Sequence, residues 1–201
     1  MFAIVGAVVI ALGVSLFVPV ASPGTGGTSP LPSGVAATGD NGLQLQLSLN
    51  ATEITPGQSI GINVSVLNTL PSTNNVSASA LSPFDVRIGS CPNQDYPFGV
   101  AVFQGRYFAG NVSQGTPLQI FPDAPCPMFI RFISGYVFQP NSNAAVILPG
   151  GNGSSTTMST NVTVGGTYTG YSRSTALAPG LYTVAAADEW GVAVFLYVQV
   201  S

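Results

Sequence analysis

The first twenty residues, 1–20, read MFAIVGAVVIALGVSLFVPV and contain no charged side chain and a single hydroxyl group, that of Ser15. Such a stretch must be hidden from water, because burying one large apolar side chain is worth about 1.5–3 kcal/mol. With a helical rise of about 1.5 Å per residue, it would span about 30 Å, the thickness of the hydrocarbon core of a bilayer. The stretch therefore predicts an N-terminal hydrophobic α-helix, which could be a cleaved signal peptide, a membrane anchor or the buried stalk of an assembling subunit.

The charges around this stretch favour the assembling subunit. Signal peptides and single-pass anchors usually carry Lys or Arg beside the apolar run, whereas the first basic residue of this chain is Arg87. That pattern is expected when a basic leader is clipped off just before the apolar run. Met1, which could be an initiator, and Val20-Ala21-Ser22, which could be a signal-peptidase site, leave the other two interpretations open.

Residues 21–42 differ from the stretch before them, because they are dense in Gly, Pro, Ser and Thr. Pro23, Pro30 and Pro32 lack backbone donors, and several glycines add conformational freedom. We expect an extended or irregular linker. Residues 43–201 are enough for one domain with a sizeable core, so the predicted organisation is a helix at 1–20, a linker at 21–42 and a head domain at 43–201.

The head domain begins with a change of hydrophobic period to two. LQLQLSL at residues 43–49 places every leucine on one face of a strand, and the run SIGINVSV at 59–66 repeats the pattern. Further strands are predicted at 84–88, 99–108, 118–121, 128–133, 136–139, 144–148, 160–164, 181–187 and 192–200, with a polar loop at 71–83. No amphipathic helical window follows the N-terminal stretch, which favours an antiparallel β-sandwich.

The sequence LAPGLY at 177–182 indicates how this sandwich is connected. It is similar to a tyrosine corner, in which the phenol of Tyr182 would bond to the backbone just upstream; an ordinary Pro-Gly turn is the alternative. Asp188 and Glu189 follow between two apolar strands, and we expect them at the solvent-exposed tip of the last hairpin. The ending resembles the closing hairpin of the immunoglobulin-like (Ig-like) domains common on archaeal surface proteins. This resemblance implies a mainly β fold with an Ig-like antiparallel β-sandwich.

Charged residues are only 5% of the chain, with seven acids, four arginines and no histidine. Four scattered arginines offer no basic stripe for phosphates, so nucleic-acid binding is not expected. The small number of titrating groups predicts that stability depends weakly on pH. A polar surface made of Ser, Thr, Asn and Gln is a hint of an extracellular, acidic habitat.

The residue types also argue against catalysis. Without histidine there is no Ser-His or Cys-His pair and no histidine-based metal site. The adjacent acids Asp188 and Glu189 would point to opposite faces of a strand and could not flank one bond. The glycines near residues 24–27 lack the lysine of a phosphate-binding loop. We therefore expect no enzyme activity, no metal and no cofactor.

Cys91 and Cys126 lie in similar settings, each followed by a proline. An even number of cysteines in an exported chain predicts a disulfide, which would contribute about 3–4 kcal/mol for a loop of this length. Two buried thiols are the alternative. Two sulfurs without histidine do not make a zinc site.

Asn-x-Ser/Thr sequons are more frequent than chance predicts: about two are expected and six are present. They predict N-linked glycans, although a merely polar surface with unmodified sites is the alternative. The six asparagines are Asn50, Asn63, Asn75, Asn111, Asn152 and Asn161.

An apolar stretch at residue 1, a Gly/Pro linker and an uncharged, sequon-rich β head together resemble an archaeal type IV pilin. The resemblance implies a helical homopolymer at the cell surface, used for adhesion or surface motility, with the membrane as a partner only before assembly. Small residues that would let neighbouring apolar segments approach closely are Ala3, Gly6, Ala7, Ala11 and Gly13. Two alternatives remain: a filament assembled by donor-strand complementation, and a membrane-anchored Ig-like domain that binds a surface ligand.

Overall fold

The computed structural model describes residues 30–79, 97–121, 135–147, 154–157, 159–165, 167–170 and 173–201. This part of the chain consists mostly of β-strands, and its one helix is a 3-10 helix of three residues at Val112–Gln114. The expected fold class, which joined a hydrophobic α-helix to the sandwich, is therefore wrong in its helical part. Residues 1–20, on which that expectation rested, lie outside the described residues. Within these ranges no helix has the length and apolar character needed to cross a membrane.

The mainly β part of the prediction agrees with the structure. The strands, in chain order, are β1 (Gly34–Thr38), β2 (Leu43–Leu49), β3 (Glu53–Ile54), β4 (Ser59–Asn68), β5 (Asn74–Ser77), β6 (Phe98–Gln104), β7 (Gln119–Phe121), β8 (Gly135–Phe138), β9 (Ala144–Ile147), β10 (Ser154–Thr157), β11 (Ser159–Gly165), β12 (Thr167–Gly170), β13 (Arg173–Ala176), β14 (Gly180–Asp188) and β15 (Ala193–Val200).

These strands form two principal sheets. Sheet I has the order β1-β2-β4-β11, and sheet II has the order β3-β15-β14-β6-β7. All pairs in both sheets are antiparallel except the short parallel pair of β15 with β3. The neighbours β2-β4-β11 in one sheet and β15-β14-β6 in the other follow the strand order of an Ig-like sandwich. Sheet III, with the order β10-β9-β8-β5, and a β12-β13 ribbon complete the described part.

One hydrophobic core receives side chains from both principal sheets. The four leucines of β2 are at most 6% exposed, and the apolar residues of β4 alternate with polar ones in the same way. Val184 of β14 and Leu196 and Val198 of β15 enter the same core from sheet II. The apolar residues of the period-two pattern are thus the buried ones, as expected for sheets with one covered face.

Six of the described strands lie where the sequence predicts none, namely β1, β3, β5, β10, β12 and β13, and the first and third of them show the reason. β1 falls within the predicted linker at 21–42, and its alternate residues Val35 and Ala37 pack against the core. β5 falls within the predicted polar loop at 71–83 and pairs with β8. In both cases the segment is short and weakly apolar, so its strand conformation depends on hydrogen bonding to a partner strand rather than on its own pattern.

Candidate functional site

The turn between β14 and β15 is organised by the carboxylate of Asp188. Its Oδ1 accepts hydrogen bonds from the backbone N–H groups of Trp190, at 3.0 Å, and Val192, at 2.8 Å. An aspartate that bonds the backbone two residues ahead is a typical turn former. Gly191 completes the turn with a φ of 98°, a conformation that favours glycine. Within the described residues, the other carboxylate oxygen, Oδ2, is buried and has no hydrogen-bond partner.

The next residue, Glu189, joins this turn to other parts of the chain. Its carboxylate accepts hydrogen bonds from the backbone N–H of Ser79 and from the hydroxyl of Tyr136, both at 3.2 Å. The Glu189 N–H donates to the carbonyl of Pro97 at 3.0 Å. Glu189 therefore connects the last hairpin of sheet II to β8 of sheet III and to the segment that follows β5.

Trp190 reinforces the same connection. Its Nε1–H donates to the carbonyl of Ser77 at 2.8 Å. Its ring meets Tyr136 edge-on, with centroids 5.6 Å apart, and Phe138 at 6.2 Å. We call Asp188, Glu189, Trp190 and Tyr136 the acid cluster.

Both acids of the cluster are fully buried, so the prediction that they lie at a solvent-exposed tip is wrong. Burial away from water raises the pKa of Asp188 to about 6, against the opposing effect of its backbone hydrogen bonds. Burial likewise raises the pKa of Glu189 to about 7, and the nearby charge of Asp188 adds to that increase. Both carboxyl groups thus change charge near neutral pH.

This geometry suits a structural role better than a chemical one. A substrate has no access to two carboxyl groups that are 0% exposed. In the described part of the chain, no group of three or more His, Cys, Asp or Glu side chains could hold a metal ion. The acid cluster therefore fixes a turn and a junction between sheets.

The predicted sequons lie at the surface wherever their side chains are described. Asn50, Asn63 and Asn75 are exposed, and Asn111 is half-buried. The Asn50 Oδ1 accepts from the N–H of Gly61 at 2.7 Å, and the Asn111 Oδ1 accepts from Phe108 N–H at 2.8 Å. Asn161 on β11 stands directly opposite Asn63 in the register of β11 with β4.

The outer face of sheet I is polar and uncharged across β1, β2 and β4. The Gln44 Nε2 donates to Thr38 Oγ1 at 3.2 Å, and the Gln46 Nε2 donates to Gln44 Oε1 at 2.7 Å. Ser65 Oγ extends the row by donating to Gln46 Oε1 at 3.4 Å. A face of this kind can make hydrogen bonds but carries no charge to attract an ion.

The predicted tyrosine-corner residue, Tyr182, lies near the start of β14. Its hydroxyl donates to the carbonyl of Ala178, four residues upstream, at 2.9 Å, which is the contact that the LAPGLY pattern predicts. The ring is buried, with 2% exposure. The bond fixes the connection that leads into sheet II.

The remaining candidate residues lie outside the described part of the chain, and their predicted roles stay predictions. They are the small residues Ala3, Gly6, Ala7, Ala11 and Gly13, the cysteines Cys91 and Cys126, and the sequon residue Asn152.

The acid cluster is the feature that sequence reasoning missed, although the sequence contains a signal for it. Residues 184–187, VAAA, lack alternation, and all four are at most 1% exposed. A strand without a polar phase has both faces covered. Acidic residues that directly follow such a strand are therefore expected inside the protein rather than at its surface.

No protein-family model and no curated protein matches this chain. Among solved structures, it is similar to a β-glucosidase from Listeria innocua in complex with isofagomine, with 12% identity and a TM-score of 0.35. The match covers 79% of this chain, which spans 16% of the enzyme's length. A likeness this distant carries no information about activity.

Proposed function

We propose that this chain is a structural subunit of an extracellular cell-surface filament, with the sandwich exposed and the apolar stretch 1–20 buried between subunits. The observation that carries the proposal is the surface of the sandwich. Asn50, Asn63 and Asn75 are exposed in three different strands or turns, while the outer face of sheet I is polar and uncharged. Such a surface is suited to covalent N-linked glycans, which supply solubility in place of charge.

The composition of residues 1–20 supplies the second support. An uncharged run of this length is not tolerated in water, and self-association with other copies buries it. The small residues Ala3, Gly6 and Ala7 would allow neighbouring segments to approach closely. Assembly requires no cofactor, and the membrane would hold the subunit only before it joins the filament.

A second mode of assembly is favoured by the position of β1. In the described part of the chain, β1 pairs only with β2 and stands at the end of sheet I. A free strand edge can accept a strand from another copy. Donor-strand assembly would then use a segment preceding Gly34 of a neighbouring subunit.

Electron microscopy of the full chain, purified from the cells that make it, tests the proposal. We expect filaments, and we expect a chain lacking residues 1–20 to remain a folded monomer. If the full chain forms no filament, the anchored surface domain is the better interpretation. If the shortened chain is unfolded but recovers when a 1–20 peptide is added, donor-strand exchange is correct.

Substitution at Gly6 provides a sharper version of this test. Gly6→Leu should reduce filament formation, because extra volume at a close contact costs about 1–3 kcal/mol. Gly6→Ala is the matched control and should assemble nearly as well as the natural chain. Equal assembly of the two variants would place Gly6 away from the contacts between subunits.

A further inference from the structure

A shallow depression of about 390 Å³ lies on the outer face of sheet I, where β1, β2 and β4 run side by side. One transverse row of the sheet crosses it: Gly34 stands opposite Ser48, and Ser48 stands opposite Asn63. Glycine has no side chain and serine a short one, so on β1 and β2 this row is lower than the neighbouring row, which contains Ala36 and Gln46. The depression is a consequence of that difference in side-chain height.

The chemistry of the lining is uncharged. Gln46, Ser48 and Ser65 provide hydrogen-bonding groups, and Gly34 and Ala36 provide a small apolar area. Gln46 is held in place by its hydrogen bonds to Gln44 and Ser65. A saccharide ring combines hydroxyl groups at its rim with apolar C–H faces, so it matches this lining, whereas an ion or a phosphate finds no opposite charge.

Asn63 distinguishes this depression from an ordinary irregularity of the surface. It lines the depression, is exposed, and begins the sequon Asn63-Val64-Ser65. Within the described part of the chain its side chain makes no hydrogen bond, whereas the amides of Asn50 and Asn111 are bonded to backbone groups. The Asn63 amide is thus free for modification at the rim of the depression.

We propose that Asn63 carries an N-linked glycan whose first sugar lies in this depression against Gln46, Ser48 and Ala36. The inference rests on the proposed function, in which the sequons are glycosylated. A shallow site without an aromatic platform would bind a free sugar weakly. Covalent attachment at the rim raises the effective concentration of the sugar enough to compensate.

The proposal separates Asn63 from the other exposed sequons. A sugar seated on β1 and β2 ties the edge strand β1 to the sheet, so the glycan on Asn63 stabilises the fold. Asn75 lies on β5, at the end of sheet III and away from this face. A glycan on Asn75 has no such contact and should leave stability unchanged.

The experiment compares variants of the full chain made with its natural glycans and in a bacterial host that adds none. In the glycosylated material, Asn63→Gln should lower the Tm by about 3 °C, the shift expected from losing one modest set of contacts. Asn75→Gln is the matched control and should change the Tm by less than about 1 °C. In the unglycosylated material both variants should match the natural chain, which excludes a folding defect.

Filling the depression without touching the sequon gives an independent measurement. Ala36→Leu should lower the Tm of the glycosylated chain and leave that of the unglycosylated chain unchanged. If peptide mapping finds Asn63 occupied but Asn63→Gln behaves like Asn75→Gln, the sugar does not lie in the depression, while the filament proposal stands. If Asn63 is bare while other sequons are occupied, the same conclusion follows. If every sequon is bare, the glycan part of the proposed function fails as well.

Discussion

At the scale of single residues, Asp188 combines burial with an incomplete set of hydrogen bonds. One carboxylate oxygen holds the β14–β15 turn through two backbone hydrogen bonds, while the other is buried and has no partner among the described residues. An unpartnered buried polar atom is costly, and more so when it is charged. Asp188 therefore stabilises the turn in either protonation state but is tolerated best when it is neutral.

The substitution Asp188→Asn tests this conclusion. The amide oxygen can accept the two turn hydrogen bonds, and the side chain cannot ionise. At pH 8 we expect the variant to be more stable than the natural chain by about 2–3 kcal/mol, because the cost of a buried charge is removed. Below about pH 4 that advantage should disappear, since the natural carboxyl group is then protonated in both the folded and the unfolded state.

Urea denaturation at the two pH values measures the effect, and Asp40→Asn at an exposed turn position is the control, with no expected change. A variant that is less stable than the natural chain at pH 8 would show that the negative charge itself is needed.

The sequence predicts the burial of a single residue correctly when that burial is set by the alternating pattern of its own strand. The leucines of β2 are buried, because strict alternation specifies one covered face. The exposure of Asn63 follows from the same rule, since it lies on the polar phase of β4. The burial of Glu189 could not be derived in this way, because it depends on Ser79 and Tyr136, which are distant in the sequence.

At the scale of elements, the tyrosine corner is the clearest link between a short motif and the fold. Tyr182→Phe removes the hydroxyl that bonds Ala178 and keeps the buried ring. We expect a loss of about 1 kcal/mol in the free energy of unfolding, because the hydrogen bond that ties the buried ring to the Ala178 carbonyl is removed. The loss should appear as a lower midpoint in chemical denaturation, with an unchanged slope.

Tyr197→Phe is the matched control for this prediction. The Tyr197 hydroxyl also donates to a backbone carbonyl, that of Tyr107 at 3.0 Å, but its ring is half-buried on the outer face of sheet II. Water can replace that bond, so the change in stability should be smaller. Equal losses for the two variants would argue against a special role for the corner.

Among the strands that the sequence predicted, β2, β4 and β15 are long and alternate or are continuously apolar. Two predicted strands, at 84–88 and 128–133, lie outside the described residues. The strands that it missed are held by their partners. β3 has only two residues and pairs in parallel with the end of β15, so its conformation is a product of the tertiary fold. β1, with the sequence GVAAT, has the composition of a loop and becomes a strand through its register with β2.

At the scale of the whole molecule, the scarcity of charge does not make the protein indifferent to pH. The sequence predicts a weak dependence because few groups titrate, yet two of the seven acids are fully buried in one cluster. Both acids lie at the junction between sheet II and sheet III, so the ionisation of either one destabilises the same contact between the sheets. The burial of these two acids, rather than the small number of titrating groups, therefore sets the expected dependence of stability on pH.

We therefore expect the folded state to be most stable in acid and to lose stability towards neutral pH. The pKa of Asp188 is raised from 3.8 to about 6 and that of Glu189 from 4.5 to about 7, so between about pH 4 and pH 7 the folded state holds protons that the unfolded state has released. Stability falls with pH wherever the folded state binds more protons, by about 2 kcal/mol for each group over this interval. Denaturation midpoints measured from pH 4 to pH 8 should decrease, and the double variant Asp188→Asn/Glu189→Gln should flatten the curve. A natural chain whose stability rises over this interval, or a double variant that keeps the full slope, would show that other groups control the response to pH.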